Sequence, residues 1–75
     1  MFLVIIIQKF KDGSPTAKSL FDYATKDQAF SVLYSTMASS MANDNISDVI
    51  CMILNENGGS IKYERWINEE INDET

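Results

Sequence analysis

Few side chains in this sequence could do chemistry. Cys51 is the lone thiol, and a cysteine becomes a nucleophile when its thiolate is stabilised in an electropositive, partly exposed setting. It stands instead within Val49-Ile50-Cys51-Met52-Ile53-Leu54, an apolar run in which a cysteine reads as a small buried hydrophobe. Ser31, Ser35, Thr36, Ser39 and Ser40 crowd one stretch, but an activated hydroxyl needs a base beside it and the chain has no histidine. They read as small residues that permit close packing or meet water. Met37, Met41 and Met52 have no second ligand type beside them and read as core filler. Asp44 and Asp48, with Asn43 and Asn45, supply oxygens suited to calcium, yet lack the glycine and closing glutamate of an EF-hand loop. Glu64 would act as an acid or base only with a strongly raised pKa. Lys9, Lys11 and Lys18, with Phe10 and Tyr23 nearby, offer charge and stacking to a single nucleic-acid strand, against the ordinary role of lysines in protecting sheet edges. The sequence therefore predicts no enzyme, no cofactor and no metal site.

Charge sharpens this reading. The formal net charge is −5 over 75 residues, and it is unevenly spread. Through Lys26, four lysines outnumber Asp12 and Asp22; from Asp27 onward, Lys62 and Arg65 face nine acids. Nucleic-acid affinity comes mainly from cations meeting phosphates, so the balance disfavours general nucleic-acid binding and leaves only a local patch on the first hairpin. A single cysteine excludes an intramolecular disulfide and a cysteine zinc cluster. The apolar run Phe2 to Ile7 is far shorter than the roughly 20 residues that span a bilayer and lacks a basic leader and a cleavage site. A cytoplasmic protein without membrane contact is the expectation.

The elements that would position these residues are legible in part. Thr25 to Asn43 is the one long helical stretch, with Phe30, Leu33, Met37 and Met41 at helical spacing, widened by Ala29, Tyr34 and Ala38. Thr25 suits the N-cap, with Gln28 completing a capping box, and Asn43, Asp44 and Asn45 end the helix. Phe2 to Phe10 predicts a strand, Lys11-Asp12-Gly13-Ser14-Pro15 a loop, and Ala17 to Tyr23 a more polar edge strand. Asp48 to Asn55 predicts a central strand, Asn57-Gly58 a type I′ hairpin turn whose register the adjacent Gly59 leaves free to differ, and Ser60 to Ile67 a fourth strand. The sum is an α+β domain over residues 1–67. It has ββαββ order, a four-stranded antiparallel sheet in strand order 2-1-3-4 and one helix on one face. An acidic tail over residues 68–75 completes the chain.

One helix covers one face of a sheet, so an isolated domain of this kind needs a polar second face. The central strands do not alternate. In the first, Leu3, Ile5 and Ile7 oppose Phe2, Val4 and Ile6; in the third, Val49, Cys51 and Ile53 oppose Ile50, Met52 and Leu54. With Leu54 and Met52 set against Ile61 and Tyr63 as the floor for the helix, the uncovered face carries Val49, Cys51, Ile53 and Trp66, joined by Ile5 and Ile7. Those six residues are the expected interface. A small domain buries only about 60% of its unfolded surface, and an exposed apolar patch of several hundred Å² marks an interaction site. The expected partner is a second copy in a homodimer, or another, unidentified protein; the alternative cover is the chain's own tail, through Trp66, Ile67 and Ile71.

The whole chain from about Phe2 to Trp66 resembles a group of short uncharacterised proteins of Gram-positive bacteria, their phages and their mobile elements. The resemblance lies in the early apolar strand, Lys11-Asp12-Gly13, Phe21-Asp22-Tyr23 before the helix, Met41-Ala42-Asn43, Cys51-Met52-Ile53, and the closing Ile61-Lys62-Tyr63-Glu64-Arg65-Trp66. It implies a bacterial or phage cytoplasmic setting and no particular activity.

Overall fold

Strand-forming and helix-forming segments succeed one another in the order β1 (Phe2–Phe10), β2 (Ala17–Tyr23), α1 (Lys26–Met41), β3 (Ile46–Asn55) and β4 (Ser60–Ile67). The computed structural model describes residues 1–68. The strands form one antiparallel sheet in the order β2-β1-β3-β4, the predicted α+β architecture, with β1 and β3 at the centre.

The helix begins where the sequence places it. Thr25 has extended backbone, φ −122° and ψ 153°, and its hydroxyl accepts from the Gln28 amide at 3.2 Å, satisfying one of the first-turn donors that have no partner within the helix. Asp27 lies in that first turn, where the helix dipole favours a negative charge. At the other end the Ala42 amide donates to Ala38 and the Asn43 amide to Ser40. The Asn43 carboxamide oxygen then accepts from the Asn45 amide at 2.9 Å, turning the chain into β3. The buried stripe is Ala29, Leu33, Met37 and Ser40. Met41 and Tyr34 are exposed, so the apolar face is narrower than the sequence periodicity predicts. Ser40 takes the last core position, its hydroxyl accepting from the Gln8 side chain of β1 at 3.1 Å.

The second hairpin departs from its predicted turn. A type I′ turn at Asn57-Gly58 needs positive φ at both residues, and only Gly58 has it, at 86°. The Gly58 amide donates to the Asn55 carbonyl and the Asn55 amide to the Gly59 carbonyl. The Asn55 side-chain oxygen collects the Asn57 and Gly59 amides at 2.9 and 2.8 Å. This longer turn shifts the register between Ile53 and Leu54, so Leu54 opposes Ser60 rather than Ile61, while Met52 still opposes Tyr63. Ile61 packs against the core.

The core forms between α1 and the face of the sheet that carries Val4, Ile6, Val49, Cys51 and Ile53; Ile46 joins it, and Phe2, Phe10, Tyr23, Phe30, Val32, Ile61 and Trp66 border it. At the end of the sheet the Asn68 amide continues the pairing by donating to Ser47. The expected tail beyond it, residues 69–75, and with it a cover through Ile71, lies outside the described residues.

Candidate interaction surface

Away from the register irregularities at Lys9/Phe10 and Ile53/Leu54, the alternation of side chains along paired strands assigns each residue to one face. The helix covers the even-numbered side of β1 and the odd-numbered side of β3. Val49, Cys51 and Ile53 are fully buried there, at 0% exposure, and Trp66, opposite Val49, is packed against the same cluster. Four of the six expected interface residues therefore lie under the helix, which corrects the reading from sequence. Of the two cross-strand pairs behind that reading, Met52 with Tyr63 holds and Leu54 with Ile61 does not, and the helix sits on the opposite side. Both sides of β1 and β3 are apolar and both carry β-branched residues, so patterning left the choice open; the helix took the side with Val4, Ile6, Val49, Cys51 and Ile53.

Ile5 and Ile7 do lie on the helix-free side. With them come Met52, Leu54 and Tyr63, which the sequence places beneath the helix, and Leu3, Leu20 and Ile50. Three cross-strand rows describe the surface. A central row runs Leu20, Ile5, Met52, Tyr63; on one side of it lies Lys18, Ile7, Ile50, Arg65, and on the other Asp22, Leu3, Leu54, Ser60. A partial fourth row, Lys9, Asp48, Ile67, follows the Lys18 row. In the first three rows the six side chains of β1 and β3 are only half-buried, while Leu20 and Tyr63 are 64% and 53% exposed. Among the described residues no helix or strand packs on this side. Beside Leu3 and Leu54 the surface dips into a shallow cavity of about 260 Å³, lined also by Met1, Asp22, Asn55, Glu56 and Gly58.

Charges sit at the ends of the face. Lys9, Lys18 and Arg65 gather at one end, where Arg65 donates to both Asp48 oxygens at 2.8 and 3.2 Å. That hydrogen bonding, opposed by partial burial and aided by the charges of Arg65 and Lys9, holds the Asp48 carboxyl below its ordinary value. Asp22 and Glu56 lie at the other end, where Glu56 takes the amino terminus at 3.3 Å. The face is thus apolar in the middle, positive at one end and negative at the other.

The remaining candidates are committed to structure. Burial, helped by the charge of Glu64, pushes the Cys51 thiol up, and a protonated thiol is a poor nucleophile. Glu64 pairs with Lys62 at 3.0 Å. Asp48 holds Arg65, Asn43 shapes the helix exit, and Asn45 donates to Asp12 at 3.1 Å, so the four residues considered for calcium do not converge. Lys9 and Lys18 share one end of the open face and Lys11 follows in the loop. Tyr23 pairs with Phe2 at the opposite end of the sheet, and both Tyr23 and Phe10 pack against the core. The predicted grouping of lysines with those two rings is not assembled.

The fold and this surface define an α+β protein with one helix-covered sheet face and one open apolar face. No protein-family model, curated protein or solved structure matches the chain. Among the described residues no helix is long and apolar enough to cross a membrane.

Proposed function

We propose that this chain is a small, non-enzymatic interaction module of the cytoplasm that self-associates through its helix-free sheet face. The observation that carries the reading is the run of Leu3, Ile5, Ile7, Ile50, Met52 and Leu54, flanked by Leu20, Tyr63 and Ile67, on a side that no described helix or strand covers. Four strands about 4.8 Å apart and some seven residues at about 3.3 Å each give roughly 450 Å² of face in projection. Two such faces remove roughly 900 Å², and side-chain relief brings the pair to the scale of about 1,000 Å² that separates specific interfaces from adventitious ones. The chain is its own best candidate partner because the face is apolar at the centre and oppositely charged at its two ends.

Sedimentation at micromolar concentration tests this. The expected result is a dimer for the parent chain and a folded monomer for Ile5→Lys, with the far-ultraviolet circular dichroism of the two unchanged. A parent chain that sediments only as a monomer at tens of micromolar overturns the reading.

A second reading rests on Lys9, Lys11 and Lys18 meeting at one end of the sheet, which would suit a single-stranded nucleic acid. It calls for a salt-dependent mobility shift that is lost when the three lysines are neutralised. No shift at low salt removes it.

A further inference from the structure

We infer that the two copies meet about a two-fold axis running across the strands, along the row Leu20, Ile5, Met52, Tyr63, so that Lys18 of each copy pairs with Asp22 of the other. This rests on the self-association proposed above and specifies its geometry.

Two sheets packed face to face keep their strands within about 30° of each other. In an aligned symmetric pair, the two-fold axis in the plane between the sheets runs along the strands or across them. An axis along the strands lays β2 of one copy over β4 of the other. The row Lys18, Ile7, Ile50, Arg65 then falls on its own reversed copy, with Lys18 facing Arg65 twice over. Like charges so placed oppose association, and although the next row then sets Lys9 over Asp48, that carboxylate is already held by Arg65. An axis across the strands keeps β2 over β2 and exchanges the two ends. The same row then falls on Asp22, Leu3, Leu54, Ser60. Lys18 faces Asp22, Ile7 faces Leu3, Ile50 faces Leu54, and Arg65 faces Ser60 on the Glu56 side.

The flanking rows stand two residues to either side of the central one, about 6.6 Å at 3.3 Å per residue, so the match is close to the axis and survives the twist between sheets. The central row is apolar from Leu20 to Met52 and stacks on itself, as an isologous interface requires. The 260 Å³ cavity beside Leu3 and Leu54 receives Ile7 and Ile50 of the other copy, and its acidic border of Asp22 and Glu56 meets the basic end of the incoming face.

Charge reversal tests the arrangement. Lys18 and Asp22 are exposed on the edge strand β2, so reversal at either spares the core. Each two-fold pair loses two surface ion pairs and gains two like-charge contacts, so Lys18→Glu and Asp22→Lys are each expected to weaken the dimer roughly tenfold. The doubly reversed chain, with the pairs restored in the opposite sense, should return to within about twofold of the parent. As a direct readout, Leu20→Cys in each copy should be joined by a short bis-maleimide. Native Cys51 is buried beneath the helix and stays out of the reaction. A dimer that persists with no response to either reversal and no link at Leu20, or one weakened by both reversals with no recovery in the double variant, overturns this geometry and leaves self-association standing. A parent chain that never dimerises overturns both.

Discussion

Along β1 and β3 the covered face carries Val4, Ile6, Val49, Cys51 and Ile53, and the open face carries Leu3, Ile5, Ile7, Ile50, Met52 and Leu54. By hydrophobicity alone the two sets are interchangeable. The first set is short or β-branched and meets Ala29, Leu33 and Met37 of a closely packed helix. The second mixes three isoleucines with Leu3, Leu54 and Met52, is half-buried, and is bordered by charge at both ends. An apolar strand side is thus a core or a contact surface according to where the helix lands, and charged neighbours mark the side left for a partner.

The largest difference between the faces should appear on placing a charge in each. Ile53→Lys puts an ammonium where exposure is 0%, and burying a charge away from water is among the most destabilising of single changes. It should abolish cooperative unfolding by circular dichroism, whereas Ile5→Lys on the open face should fold and lose only its partner. A folded Ile53→Lys chain would mean that the faces are not distinguished as described. Next in size, Leu33→Ala removes the central helix contact with the covered face and should lower stability by about 2–5 kcal/mol in urea denaturation. Leu20→Ala on the open face should change monomer stability by less than about 0.5 kcal/mol.

Smaller effects test how the helix is held on its side. Thr25→Ala deletes the acceptor for the Gln28 amide and should cost about 1 kcal/mol, with Thr25→Ser retaining most of it. On the open face, Asp48 is held below the ordinary carboxylate value chiefly by its hydrogen bond from Arg65. A carboxyl depressed in the folded state adds stability above its unfolded pKa and loses it as pH falls through the folded one. Melting temperature should therefore drop on acidification below the ordinary aspartate range, and Asp48→Asn should lose that component of the drop while the covered-face contacts stay intact. An identical acid profile for the variant would show that the pair does not contribute.

Much of the architecture was legible in the residues. Thr25 marked the helix start because its hydroxyl can satisfy a donor left open by the helix backbone, and the apolar runs of β1 and β3 marked the centre of the sheet because they have no polar side to turn outward. The hairpin was legible in its glycine and not in its type. Gly58 takes positive φ, but the Asn55 carboxamide binds two loop amides and stabilises a longer turn that no dipeptide rule anticipates. Ile5 and Ile7 were legible as part of the open face, while Val49, Cys51, Ile53 and Trp66 were assigned to the wrong side.

By itself the sequence determined the strands, the helix and an excess of apolar surface over what one helix can cover, since these follow from local periodicity, capping and composition; the order 2-1-3-4 was one self-consistent arrangement, which the structure shows. Only the tertiary structure decided which side the helix shelters. Period-two alternation says which residues share a face but not which face is inside. That choice belongs to the packing of α1 against the whole sheet, and it alone brought Lys18, Asp22 and the open apolar rows onto one surface.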